Sequence, residues 1–166
     1  MDHGTENHFQ GTVIKAVGCR YLLYLPDGYR GDGERAWPLL LFLHGAGERG
    51  EDLALVRLHG PPRQIERGGD LPFLVVAPQC PAEQQWDPDT LVALLDRVCA
   101  GHRVDRDRIY LTGLSMGGLG TWATAAAFPE RFAAIAPICP PSLWCDLRGL
   151  ARLPVWCFHG VLDPAV

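Results

Sequence analysis

The run Gly113-Leu114-Ser115-Met116-Gly117-Gly118 sets a serine two residues after one glycine and two before another. A serine hydroxyl is a poor nucleophile near neutral pH. It attacks an acyl carbon when an imidazole, oriented by a carboxylate, takes its proton. The tetrahedral oxyanion then needs two N–H donors, which a helix N-terminus and a glycine-rich loop can supply. Two further stretches carry residue types suited to these tasks: His44-Gly45-Ala46-Gly47-Glu48-Arg49-Gly50 and His159-Gly160-Val161-Leu162-Asp163-Pro164. The Gly-x-Ser-x-Gly spacing matches the nucleophile-elbow pattern, in which a strained strand-to-helix turn exposes the hydroxyl. An ordinary glycine-rich turn with a surface serine has the same letters, so the flanking elements must decide.

Those elements are legible. Arg108 to Thr112 is short, apolar and partly β-branched, which predicts a strand. Met116 to Phe128 is rich in alanine and leucine, which predicts a helix. Leu39–Leu43 and Phe73–Ala77 are continuous apolar runs, as strands covered on both faces read. Residues 12–17 and 20–25 form two β-like runs, and Gly18-Cys19 between them predicts a hairpin. A short helix is expected around Arg63–Arg67. Another opens at Asp87 as N-cap with Pro88 in the first turn, followed by Leu91, Leu94, Leu95, Val98 and Cys99 on one face. Ala133–Ile138 and Pro154–Phe158 complete the expected strands. Strands alternating with helices predict an α/β fold, a three-layer sandwich with a mostly parallel central sheet and helices on both faces. Functional groups in such sheets gather at the carboxyl ends of the strands, where His44–Gly47, Ser115 and Asp163 all fall.

The bulk composition agrees. The 166 residues suit one domain, 1–166, large enough to bury roughly 70% of its unfolded surface. A net charge of −4 with no basic run argues against a nucleic-acid partner. The longest apolar run, Pro38–Leu43, is strand-sized and gives no membrane span. The acidic, polar start Met1–Glu6 is unlike a signal peptide, so a cytoplasmic location is expected unless the true start lies upstream. Six cysteines without a Cys-x-x-Cys pair argue against a zinc site, and a Cys139–Cys145 disulfide stays open.

Together the three motifs resemble the α/β-hydrolase family, in the family's order. Within it the sequence is similar to small bacterial carboxylesterase/phospholipase-type enzymes, feruloyl esterases and predicted peptidases. Pro78-Gln79-Cys80-Pro81 with Trp86, and Phe128-Pro129-Glu130-Arg131-Phe132, strengthen the likeness. The resemblance implies an ester hydrolase without metal or organic cofactor, acting on small-molecule or polysaccharide-linked esters. It implies Ser115 as nucleophile, Asp163 as the orienting carboxylate, and the N–H groups of Met116 and Ala46 as the oxyanion hole. His44, Gln79 and Trp86 are candidate pocket residues, although His44 can instead shape its loop and Trp86 can simply pack. Asp163 can equally cap a following helix.

The family order runs Ser, Asp, His, and only Pro164, Ala165 and Val166 follow Asp163 here. Relative to the family, the expected fold is therefore incomplete at its C-terminal side. His159 is the substitute base within these residues, or else a structural part of its turn. The rival expectation is a catalytically weak or silent domain acting by binding, with homo-oligomers formed through an open sheet edge.

Overall fold

The computed structural model describes residues 8–12, 14–31, 33–141 and 146–164. Five strands form one sheet in the order β1-β3-β2-β4-β5: β1 Tyr21–Tyr24, β2 Trp37–Leu43, β3 Leu74–Pro78, β4 Val104–Leu114 and β5 Ala134–Ile138. All neighbouring pairs are parallel except β1 with β3. The helices are α1 Gly60–Glu66, α2 Pro88–Gly101 and α3 Met116–Ala127.

Alternation along the strands sorts the side chains into layers. Leu39, Leu41, Leu43, Leu74, Val76, Ile109, Leu111 and Ile135 point to one face. There they meet Leu91, Leu94, Leu95 and Val98 of α2, and Met116 and Ala125 of α3. On the opposite face Phe42 and Ala77 pack with Val56, from a 3-10 turn at Leu55–Leu58 that leads into α1. Helices therefore lie on both faces, as the sequence predicts. On the second face the cover stops short. Over β4 and β5 an apolar trough of about 330 Å³ is lined by Leu40, Tyr110, Ala134, Ala136, Val155 and Trp156.

α2 begins as expected. The Asp87 carboxylate accepts hydrogen bonds from the Thr90 N–H and hydroxyl, at 3.0 and 2.5 Å, and Pro88 occupies the first turn. No described helix is long and apolar enough to cross a membrane.

Two expectations need correction. The hairpin does not form: the described residues of 12–20 are not strand, and Ile14 is 95% exposed. β1 pairs with β3, far along the chain, because that pairing buries Tyr21 and Leu23 against the main core. Local turn chemistry is weaker than this tertiary gain. The second correction concerns 154–158, which makes only isolated parallel bridges to β5, Ile135↔Val155 and Ile138↔Phe158. Ile135 donates to the Pro154 carbonyl and accepts from Trp156 N–H, and the Pro137 carbonyl accepts from Phe158 N–H, each at 3.0 Å. Pro137 has no N–H to give in return, so the ladder is interrupted at that rung. The Cys139–Cys145 pairing falls on Cys145, which lies outside the described residues.

Candidate active site

Ser115 stands on the turn between β4 and α3 with φ 54° and ψ −115°. A non-glycine residue there costs on the order of 1–3 kcal/mol and persists only when its surroundings over-determine it. They do. Ser115 N–H donates to the Ile138 carbonyl at 2.9 Å, and its own carbonyl accepts from Leu119 N–H at 3.0 Å to start α3. The flanking glycines permit the approach. A Cβ on Gly113 would lie 2.2 Å from the Gly117 carbonyl oxygen, and one on Gly117 would lie 2.0 Å from the Leu43 carbonyl oxygen. No larger residue fits this strand-to-helix junction. The turn is thus a close-packed elbow and not a loose glycine-rich bend.

α3 leaves its first N–H groups without intrahelical partners, Met116 among them, and they carry the positive end of the helix dipole. Facing them is the loop after β2. A Cβ built on Gly45 would sit 3.6 Å from the Leu114 carbonyl oxygen and 3.9 Å from Ser115 Cβ, so the Gly45–Ala46 peptide borders the serine. Ala46 and Gly47 are exposed, while His44, Gly45 and Glu48 are buried. The loop therefore presents its backbone outward from a fixed base.

His44, Gln79 and Trp86 supply that base. Cys80 N–H donates to His44 Nε2 at 3.0 Å. Since an amide can only donate, Nε2 carries the lone pair and the proton sits on Nδ1, which donates to the Gly45 carbonyl at 2.6 Å. Burial pushes the His44 imidazole below its usual pKa, the Gly45 bond and Glu48 only partly offsetting it. His44 is 1% exposed and neutral, with both ring nitrogens engaged. The Trp86 indole N–H donates to the His44 carbonyl at 3.1 Å, and its ring stacks edge-on against the imidazole with centroids 4.8 Å apart. Gln79 Nε2 donates to the carbonyls of Glu48 and Asp52, at 2.9 and 2.8 Å. Gln79 and Trp86 also line a small cavity of about 40 Å³, bounded by Cys19, Cys80 and Pro81. These three residues act first as struts of the loop.

One residue escaped the sequence reading. Glu48 is buried, and its Oε1 lies 3.3 Å from His59 Nε2. Its Oε2 is 3.3 Å from the Gly45 Cβ position and has no hydrogen-bond partner among the described residues. A charged residue beside three glycines reads as a solvated loop residue, so only the packed loop reveals it.

The last expected pieces lie at the β5 edge. Cys139 N–H donates to the Phe158 carbonyl at 2.7 Å, which brings the 159–163 turn to the carboxyl end of the sheet. His159 Nε2 and Asp163 Oδ2 are 3.9 Å apart, within one turn closed by Asp163 N–H on the Gly160 carbonyl. Among the described residues no hydrogen bond joins the Ser115 hydroxyl to His159. The structure thus brings Ser115, Met116, Gly45 and Ala46 together, and pairs His159 with Asp163 beyond them.

The chain is similar to several known proteins. The chain is 31% identical over 141 residues to the "Putative esterase NocK" of Nocardia uniformis subsp. tsuyamanensis, matching 76% of this chain and 40% of that protein. It is 28% identical to the bifunctional acetylxylan esterase/xylanase XynS20E of Neocallimastix patriciarum, over 76% of this chain and 19% of that protein. Among solved structures, a thermostable esterase superposes with a TM-score of 0.72 at 35% identity, covering 88% of this chain and 44% of the other. The chain therefore spans less than half the length of these relatives. The model of the Esterase family, described as "Putative esterase", matches residues 18–161, so this α/β-hydrolase chain belongs to that family.

Proposed function

We propose that the protein hydrolyses carboxylic esters through an acyl-enzyme at Ser115. The carrying observation is the Ser115 backbone, at φ 54°, held by glycines that admit no side chain. Ser115 Oγ attacks the acyl carbon, and the N–H groups of Met116 and Ala46 receive the developing oxyanion. The alcohol leaves, and water then releases the acyl group. Asp163 is the carboxylate that orients the base. His44 does not take the serine proton, because its lone pair and its proton are both committed within the loop. In the family's order the base follows the carboxylate; within these residues His159, 3.9 Å from Asp163, is the substitute. The acetylxylan esterase relative supports polysaccharide-linked esters as one substrate class.

A domain working by association is the second reading. It is favoured by Trp156, Val161 and Leu162, which are 72%, 99% and 92% exposed beside the β5 edge.

A fluorophosphonate probe followed by mass spectrometry separates the two. The esterase reading expects a covalent adduct on Ser115 that disappears in Ser115→Ala. Folded protein left unlabelled at Ser115 refutes it.

A further inference from the structure

Cys19 and Cys80 stand on opposite sides of the β1–β3 pairing. The register Tyr21↔Pro78 continues outward, since Gln79 N–H donates to the Arg20 carbonyl at 2.8 Å. The next facing pair is Cys19 with Cys80. The rung at Arg20 and Gln79 is hydrogen-bonded, so Cys19 and Cys80 occupy the non-hydrogen-bonded type of position. There, facing Cα atoms are about 4.5 Å apart with their side chains on one face. That face is the same for both: Cys80 belongs to the main core, and Cys19 packs against it together with Tyr21 and Leu23. Both residues border the 40 Å³ cavity beside Trp86. A disulfide needs Cα atoms about 4.4–6.8 Å apart, and the usual spacing at this type of position falls within that range.

We propose that Cys19 and Cys80 form a site of reversible disulfide modification. Both are thiols in the structure. A peroxide is the oxidant class. Half-buried Cys19 reacts first: its sulfur takes one oxygen from the peroxide to give a sulfenic acid and one water. The Cys80 sulfur then displaces the hydroxyl, forming the S–S bond and a second water. Two thiols lose two electrons and two protons, and one peroxide is reduced to two waters. Burial raises the pKa of both thiols, which holds them protonated at neutral pH and makes the reaction faster in mild alkali. The bond would tie the chain entering β1 to the residue whose backbone N–H anchors His44 and whose carbonyl accepts from Gly50 N–H. Oxidation would thereby brace the loop beside Ser115.

The test is a non-reducing tryptic map of the folded chain after hydrogen peroxide treatment and thiol blocking. The expected product joins the peptide Ala16–Arg20 to the peptide Gly68–Arg97, and reduction separates it. The cross-linked chain should melt on the order of 10 °C higher than the reduced one. That shift should vanish in Cys19→Ser and persist in Cys99→Ser. Exposed Cys157 reports that the oxidant has acted. If Cys157 is oxidised while Cys19 and Cys80 are recovered as blocked free thiols, or if either is joined to another cysteine, the proposal is overturned. The map on the unaltered chain decides this even if a variant fails to fold.

Discussion

Replacing Gly117 by alanine sets two effects of opposite sign against each other. In a helix, glycine to alanine ordinarily stabilises by up to about 1 kcal/mol. At Gly117 the added carbon would lie 2.0 Å from the Leu43 carbonyl oxygen, 2.6 Å from its carbon and 2.8 Å from the His44 carbonyl oxygen. All three atoms are backbone, so no side chain can rotate away. Both β2 and α3 are held by their neighbours, and separating them opens the elbow. Overpacking of this kind costs roughly 3 kcal/mol or more, so the clash should win by about 2 kcal/mol. Gly101 is the matched control, at the end of α2 with nothing within 4 Å of its Cβ position. Gly101→Ala should be neutral or stabilising. Urea unfolding followed by tryptophan fluorescence reads both variants. The same Gly117→Ala protein should label more slowly with the fluorophosphonate probe, since Leu43 leads directly into the Gly45–Ala46 loop. A Gly117→Ala chain as stable as the parent, at equal m-value, would refute the close-packed elbow.

Two further outcomes concern the struts. The folded-state pKa of His44 lies below its unfolded value of about 6.5, so its neutral form is the one folding favours. The associated stability is fully present above that unfolded pKa and is lost as pH falls from it through the lower folded-state pKa. Unfolding midpoints between about pH 5 and pH 8 should show this loss, and His44→Leu should flatten the slope while lowering stability throughout. Trp86→Phe keeps most of the packing but leaves the buried His44 carbonyl without its indole donor. A cost of about 1–3 kcal/mol is expected in the same unfolding assay, and an unchanged midpoint would show that this bond does not hold the loop.

Much of the molecule follows from local sequence. The apolar runs at 39–43 and 73–77, the Asp87-Pro88 helix start and the glycine spacing around Ser115 each report a constraint set by nearest neighbours. A strand covered on both faces must be apolar throughout, a helix start needs a side-chain acceptor, and a position where an added Cβ would lie about 2 Å from a neighbouring backbone oxygen admits only glycine. Such constraints are written in residue types a few positions apart, so one sequence suffices to read them. The hairpin expected at 12–25 did not obey this logic. Gly18-Cys19 suits a turn, yet β1 pairs with β3 some fifty residues later because that pairing buries Tyr21 and Leu23.

The roles of His44, Gln79 and Trp86 were likewise beyond local reading. A histidine after a strand can be a base, a pocket wall or a strut. It is the donation from Cys80 N–H to its ring and from the Trp86 indole N–H to its carbonyl that make it a strut. Glu48 became visible only when its loop closed over Gly45. The sequence alone thus determined the sheet class and the serine at the elbow, because those depend on residue size and spacing along the chain, and its three motifs carried the resemblance to the family. Only the tertiary structure decided which side chains hold the loop after β2, where β1 pairs and why the last ladder breaks at Pro137. Those depend on hydrogen bonds between residues far apart in the chain, whose partners are chosen by total burial and not by neighbouring letters.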